Sequence, residues 1–301
     1  MPLEALGSVL PVFLIAAVGY FAGSKMPLDV STLSRVCLYI LTPALTFNSL
    51  ANSAVDLQTV WLFGLAALIA PVVLAVLISW LYNRIGWEKT LSRSMLLPSI
   101  FSNTGNYGLP ICLFAFGQAG MELGVVYMVM QSFLIATLGV FIAASSNMEP
   151  GQALNKVLRM PTLYGALLGI LVKLLNLNVP QLLARPIALL SQAAIPVFLL
   201  VLGLQLVGTK PTHGWQVPGV ATFTRLVLAP AIIACLGKAL GLQGLPWKIL
   251  VLQAAMPPPV NATILAQEFD ANPDLVSQTT LLGTLASLVT LSGWILMLNR
   301  L

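Results

Sequence analysis

Charge is scarce in this sequence. Of 301 residues, 8% are charged and 58% are hydrophobic. Soluble globular chains carry about 25% charged residues, so this chain has too little charge to cover a core in water. Histidine is limited to His213, which sits in a polar turn and reads as a solvated loop residue. The cysteines Cys37, Cys112 and Cys235 each lie inside an apolar run, without Cys-x-x-Cys spacing. This excludes a disulfide framework and a Cys/His metal site. It also leaves no nucleophile–base pair for an enzyme. No catalytic residue, metal or cofactor is therefore expected. No basic cluster is interleaved with aromatics, so nucleic acid is not an expected partner.

Carboxylates avoid the apolar runs as well. Glu4, Asp29, Asp56, Glu88, Glu122, Glu149, Glu268, Asp270 and Asp274 all read as run ends or connections. Ion-coupled carriers commonly place a carboxylate within the membrane. Coupling here would fall to Glu268, at the end of a run, to backbone carbonyls, or to nothing. Glu4 precedes the first run where a cleavable signal would carry positive charge, so that run reads as a retained span.

What is present is apolar sequence in ten runs, at about 4–24, 32–51, 57–82, 91–118, 122–146, 160–178, 186–208, 215–241, 247–269 and 274–299. Each is near the roughly 20 residues that cross a bilayer as helix. The lipid bilayer is thus the expected surrounding. Of the basic residues between runs, Lys25, Arg35, Arg84, Lys89, Arg93, Lys156, Arg159 and Lys210 fall in odd-numbered gaps. Lys173, Arg185, Lys238, Lys248 and Arg300 fall in even gaps or at an end. The excess places the odd gaps in the cytoplasm and both termini outside. A cell membrane, bacterial inner membrane by preference, is the expected location.

The polar stretch around Glu149 divides the runs into two sets of five. The second and seventh runs carry Pro43 and Pro196 in their interiors. The fourth run is interrupted at Asn103-Thr104-Gly105-Asn106-Tyr107-Gly108-Leu109-Pro110, and the ninth at Pro257-Pro258-Pro259-Val260-Asn261. Five is odd, so two such halves would lie in opposite orientation. The expected fold class is an all-α membrane protein of ten transmembrane helices. They would form two inverted five-helix repeats, residues 1–147 and 160–301, joined by a cytoplasmic link at 148–159.

Interruptions of this kind have chemical consequences. Pro110 and Pro257 to Pro259 lack N–H groups, and Gly105 and Gly108 permit turns that other residues resist. A broken helix exposes free N–H groups at its new start, with a partial positive charge that suits an anion. Ser102, Asn103, Asn106 and Asn261 add donors without a charge to desolvate. Either these side chains bind a carboxylate or they cap freed backbone groups. Asn48, Gln131 and Gln205 are either packing contacts between helices or site lining. Arg225, inside the eighth run, is either a functional charge or one paired with backbone carbonyls.

Several stretches resemble the auxin efflux carrier superfamily, which includes plant PIN-formed carriers and bacterial organic-acid permeases. They are Pro43-Ala44-Leu45-Thr46-Phe47, Asn103 to Pro110, Met130-Gln131, Ala255-Met256-Pro257 and Ala266 to Asp274. The resemblance implies a fold like that of sodium/proton antiporters, with the broken fourth and ninth spans crossed. It implies a scaffold of spans 1, 2, 6 and 7, often dimeric, and a transport part of spans 3–5 and 8–10. It also implies elevator-type movement of a small organic anion, a mono- or dicarboxylate such as malate or malonate. Asn103 matches the position that contacts the carboxylate in plant carriers, and Thr46 and Gln131 match other substrate-lining positions. The proline-rich stretch Pro257 to Pro259 departs from the family pattern. A sodium-coupled symporter of the bile-acid type is the alternative.

Overall fold

The computed structural model describes residues 2–144, 160–207 and 214–301, with side chains from residue 7 onward. Among the described residues the fold is all helical. Helix α1 spans Pro2–Lys25, α2 Val30–Ala51, α3 Leu57–Arg84 and α4 Lys89–Ile100. Helix α5 spans Leu109–Leu134, α6 Pro161–Leu174, α7 Gln181–Leu206 and α8 Gln216–Ala239. Helices α9, Gly244–Ala254, α10, Val260–Glu268, and α11, Pro273–Arg300, complete the chain. The expected link at 148–159, with Glu149, Lys156 and Arg159, lies outside the described residues, as do Lys210 and His213.

Prolines explain much of the local geometry. Pro43, Pro110 and Pro230 each stand two residues beyond a π turn, at Cys37–Leu41, Thr104–Gly108 and Thr224–Leu228. Proline offers no N–H to the carbonyl four residues back and its ring pushes that carbonyl aside. The preceding turn therefore widens to the i→i+5 pattern. In α8 the carbonyl so released, that of Leu226, accepts from the Trp294 indole N–H at 2.9 Å.

The expected ten spans as two inverted five-helix repeats are corrected by the structure. Among the described residues, seven segments are long and apolar enough to cross a membrane. The all-α, multi-spanning class stands. The repeat does not, nor does the sodium/proton antiporter-like arrangement that the resemblance implied. The fourth and fifth runs belong to one segment, Lys89–Ala143. The sixth yields only the 14-residue α6, about 21 Å at 1.5 Å per residue. The ninth divides into α9 and α10, of 11 and 9 residues. Apolar runs record composition alone, and helix breaks and turns do not fall where the runs begin and end.

By their densest packing the helices fall into two groups, with α1 also touching α5 and α11 across the divide. Helix α1 lies along α7, and α2 lies along α6 and α7. These contacts are close because small residues meet backbone. A Cβ at Gly203 would fall 1.8 Å from the Ala16 carbonyl oxygen, and one at Gly165 would fall 2.6 Å from that of Pro43. The other group contains α3, α4, α5 and α8 to α11. Within it the chain turns at Gly117 (φ 67°), so that Gly124 returns beside Leu109 and Cys112.

Candidate functional site

Both interruptions lie in the second group, and they meet. Helix α4 ends at Ile100, and the backbone runs extended at Phe101 (φ −93°, ψ 145°). Asn103 (φ −77°, ψ 71°) then precedes the π turn that leads into α5. In the other interruption α9 ends at Ala254, and Pro259 (φ −80°, ψ 147°) precedes α10. The Asn103 N–H donates to the Pro257 carbonyl at 2.8 Å. The Gly108 N–H reaches back to the Asn103 carbonyl at 2.9 Å.

The ends of the broken helices are treated unequally. The two C-terminal ends share one cation. Arg225, fully buried, donates through Nη1 to the carbonyls of Ile100 (2.9 Å) and Ser99 (3.3 Å), and through Nη2 to that of Ala254. Of the two readings open for Arg225, the structure shows the pairing with backbone carbonyls. A cation at a helix C-terminus is favourable by about 0.3–1 kcal/mol at exposed sites and up to about 2 when partly buried. The two starts have no such partner: neither the turn after Asn103 nor α10 after Pro259 has a side-chain cap.

Those starts open on a cavity of about 130 Å³, lined by Ser102, Asn103, Thr104, Gly105, Asn106, Gln131, Pro259 and Asn261. Leu38, Thr42, Thr162, Phe198 and Gln205 from the first group form much of the facing wall. Among the described residues, none that lines it is ionisable. It shares Thr42, Asn106, Gln205 and Asn261 with an outer cavity of about 450 Å³, in which Arg35 is the one charged lining residue among the described residues.

The expected site residues occupy distinct places. Ser102, Asn103, Asn106, Gly105, Gln131, Pro259 and Asn261 line the cavity together. Gln131 is also engaged with the chain itself. Its Oε1 accepts from the Ser102 N–H (3.1 Å) and hydroxyl (2.9 Å), and its Nε2 donates to the Ser102 carbonyl (2.5 Å) and Thr104 Oγ1 (3.3 Å). It supplies the hydrogen bonds that a helix would have given Ser102. Thr46 lies one turn past Thr42, with its hydroxyl bonded to the Thr42 carbonyl at 2.7 Å, and it does not line the cavity. Gly108 packs against Gln253, and Pro258 packs against Gly283. Pro110 and Pro257 are buried, and Glu268 is exposed at the far end of α10.

Sequence reading missed several groups. Arg35 carries a charge a few residues into a span, which was a usable signal. Thr42, Thr162 and Phe198 enter the wall through packing between helices distant in sequence. Gln253 is buried with neither side-chain amide atom hydrogen-bonded. Glu122, read as a span end, lies buried within α5, where its Oε2 accepts from the Ser53 hydroxyl (2.8 Å) and the Ala54 N–H (3.1 Å). Among the described residues no cluster of His, Cys, Asp or Glu could hold a metal ion.

Comparison with known proteins agrees with a transport role. The family described as "Membrane transport protein" matches residues 4–155 and 149–295. A protein described as an uncharacterized transporter of Methanothermobacter thermautotrophicus is 29% identical over 294 residues, covering 95% of this chain and 96% of its own. Another, from Methanocaldococcus jannaschii, is 22% identical over 303 residues, with 96% and 98% covered. Auxin efflux carrier component 1 of Arabidopsis thaliana is 31% identical over 151 residues, 48% of this chain and 24% of the plant protein.

Proposed function

The chain belongs to the membrane transport protein family, related to the auxin efflux carriers, and from that premise we propose that it carries a small organic anion, a mono- or dicarboxylate, across a cell membrane. It is a multi-pass transport protein and not an enzyme. One observation carries the substrate class: two uncapped helix starts face one cavity, while Arg225 holds the two opposing C-terminal ends. The negative ends of the local dipoles are thereby neutralised away from the cavity, and the positive ends are presented to it. Ser102, Asn103, Asn106 and Asn261 supply the donors, Gln131 holds Ser102 in place, and Arg35 draws the anion into the outer cavity.

The carrier works by alternating access of the elevator type. The group that holds both interruptions moves against a frame of α1, α2, α6 and α7, and the cavity lies between the two. Frame helices of two copies meet in a homodimer. The face bearing Arg35, Arg84 and Lys89 is cytoplasmic, following its share of basic residues.

Purified protein in proteoliposomes tests this. Uptake of malonate, malate and monocarboxylates is compared with and without pH and sodium gradients. Saturable carboxylate flux that falls in both the Asn103→Ala and Asn261→Ala variants is expected. Carboxylate flux indifferent to both substitutions would sink the assignment of the site.

A further inference from the structure

A second cavity, of about 480 Å³, lies on the other side of the same helix pair. Helix α2 contributes Thr42 to the first cavity and Asn48 to the second. Helix α7 contributes Phe198 and Gln205 to the first, and Ser191 and Gln192 to the second. The two cavities therefore occupy successive stretches of α2 and α7. Between Thr42 and Leu45, and between Pro196 and Phe198, the partition is less than one helical turn, about 5 Å. Leu45 and Phe198, each 1% exposed, fill it.

The second lining is largely apolar, with four polar side chains set into it. Asn48, Gln118, Ser191 and Gln192 all face the second cavity. Asn48 Nδ2 donates to Ser191 Oγ at 3.3 Å, which ties α2 to α7 at this point. Gln192 stands near the middle of α7 and its side chain is exposed. An exposed amide at that depth is costly against hydrocarbon, and is accommodated where it borders water. Gln118 follows the Gly117 turn, the end of the half-helix that begins at the first interruption. The second cavity is thus bounded by the first helix group on one side and by the far end of the site-bearing helix on the other.

We propose that this second cavity is the aqueous vestibule through which the ligand exchanges with the face opposite Arg35, with Asn48, Gln118, Ser191 and Gln192 as its hydrated lining. The proposal rests on the transport reading and extends it to a route and a set of residues. When the interrupted helices shift by about the thickness of the partition, the ligand bound at their starts passes from one vestibule to the other. Buried Leu45 and Phe198, which lie between the two linings on α2 and α7, then separate the ligand from the side it has left. The lining is uncharged, so it hydrates a carboxylated solute without holding it.

Sidedness of thiol labelling tests this on the full chain. Cys37, Cys112 and Cys235 are replaced, and Ser34→Cys, Gln118→Cys and Gln192→Cys are introduced one at a time. Sealed vesicles of each orientation are treated with a membrane-impermeant thiosulfonate. Ser34, in the outer part of the first cavity, is expected to label from one face, and Gln118→Cys and Gln192→Cys from the other. Attachment at Gln192→Cys is expected to block carboxylate flux. Labelling of Gln192→Cys from the Ser34 face overturns the proposal. So does resistance of Gln192→Cys from both faces, because a thiol in lipid does not ionise. Labelling needs no substrate, so an absence of carboxylate flux in the unsubstituted protein would count against the transport reading alone.

Discussion

The backbone N–H of Asn103 donates to the carbonyl of Pro257 across 2.8 Å. Two segments that cannot continue as helix thereby satisfy part of one another's hydrogen bonding. In hydrocarbon each unpaired backbone group costs several kcal/mol, so each interruption stabilises the other. Pro257 is suited to accept, because its own missing N–H leaves nothing further to satisfy at that residue.

The amides that line the cavity make the first prediction. Asn103→Ala and Asn261→Ala each remove a donor from a site that a ligand fills. A buried polar ligand group left without its partner costs about 1–3 kcal/mol. Half-saturation for carboxylates is expected to rise roughly tenfold or more in each variant, as measured by proteoliposome uptake, while purified yield and thermal midpoint change little.

Arg225 predicts a different signature. Arg225→Met leaves the carbonyls of Ser99, Ile100 and Ala254 without their donor, and hydrogen bonds to charged groups contribute about 1.5–3 kcal/mol each. The thermal midpoint in detergent is expected to fall by many degrees, with flux lost. Arg225→Lys keeps the charge but not the fork geometry, and is expected to recover part of the midpoint. A midpoint unchanged in Arg225→Met would contradict the bridging role.

The contact between Gly108 and Gln253 can be tested by a pair of substitutions. A Cβ at Gly108 would fall 2.2 Å from Gln253 Oε1, so Gly108→Ala displaces that side chain or the interruption itself. Gly108→Ala is expected to lower both stability and flux. Adding Gln253→Ala should restore much of the loss, with a coupling on the order of 0.5–3 kcal/mol for residues in contact. Strict additivity of the two losses would show that the contact is not the cause.

Arg35 predicts salt dependence. It is exposed and lines only the outer cavity, so it acts on the approaching anion over a distance that salt screens. Arg35→Gln is expected to raise half-saturation at low ionic strength, with a smaller difference at high ionic strength and an unchanged maximal rate. Equal effects at all salt concentrations would argue for direct contact.

Asp56 connects pH to stability at one face. Its carboxylate accepts from the Thr59 hydroxyl (2.6 Å) and N–H (2.8 Å), capping α3, and these bonds hold its pKa below the ordinary carboxylate range. A depressed folded-state pKa gives stability that is present above the unfolded value and is lost as pH falls through the folded one. Asp56→Ala is expected to lower the thermal midpoint near neutral pH, and the gap from the parent protein should narrow as pH falls below the carboxylate range.

Much of the candidate site was legible because it rests on local chemistry. Proline and glycine break helices wherever they fall, so Asn103 to Pro110 and Pro257 to Asn261 could be read as interruptions without coordinates. Gln131 was legible as a polar group inside an apolar run, but not as the partner of Ser102, since that pairing depends on a helix returning past Gly117. Glu122 misled for the same reason. Position along the chain placed it at an end, whereas the fold buries it against Ser53 and Ala54.

The sequence by itself determined that this protein lives in lipid, that two of its segments break, and that asparagines stand at the breaks, because composition and backbone permission are properties of single residues and their neighbours. Only the fold shows that, among the described residues, seven segments are long enough to cross, that Arg225 closes both C-terminal ends, and that both starts share one cavity. Those facts depend on helix length and on contacts between residues far apart in the chain. Three-dimensional packing selects such contacts from many that the sequence allows.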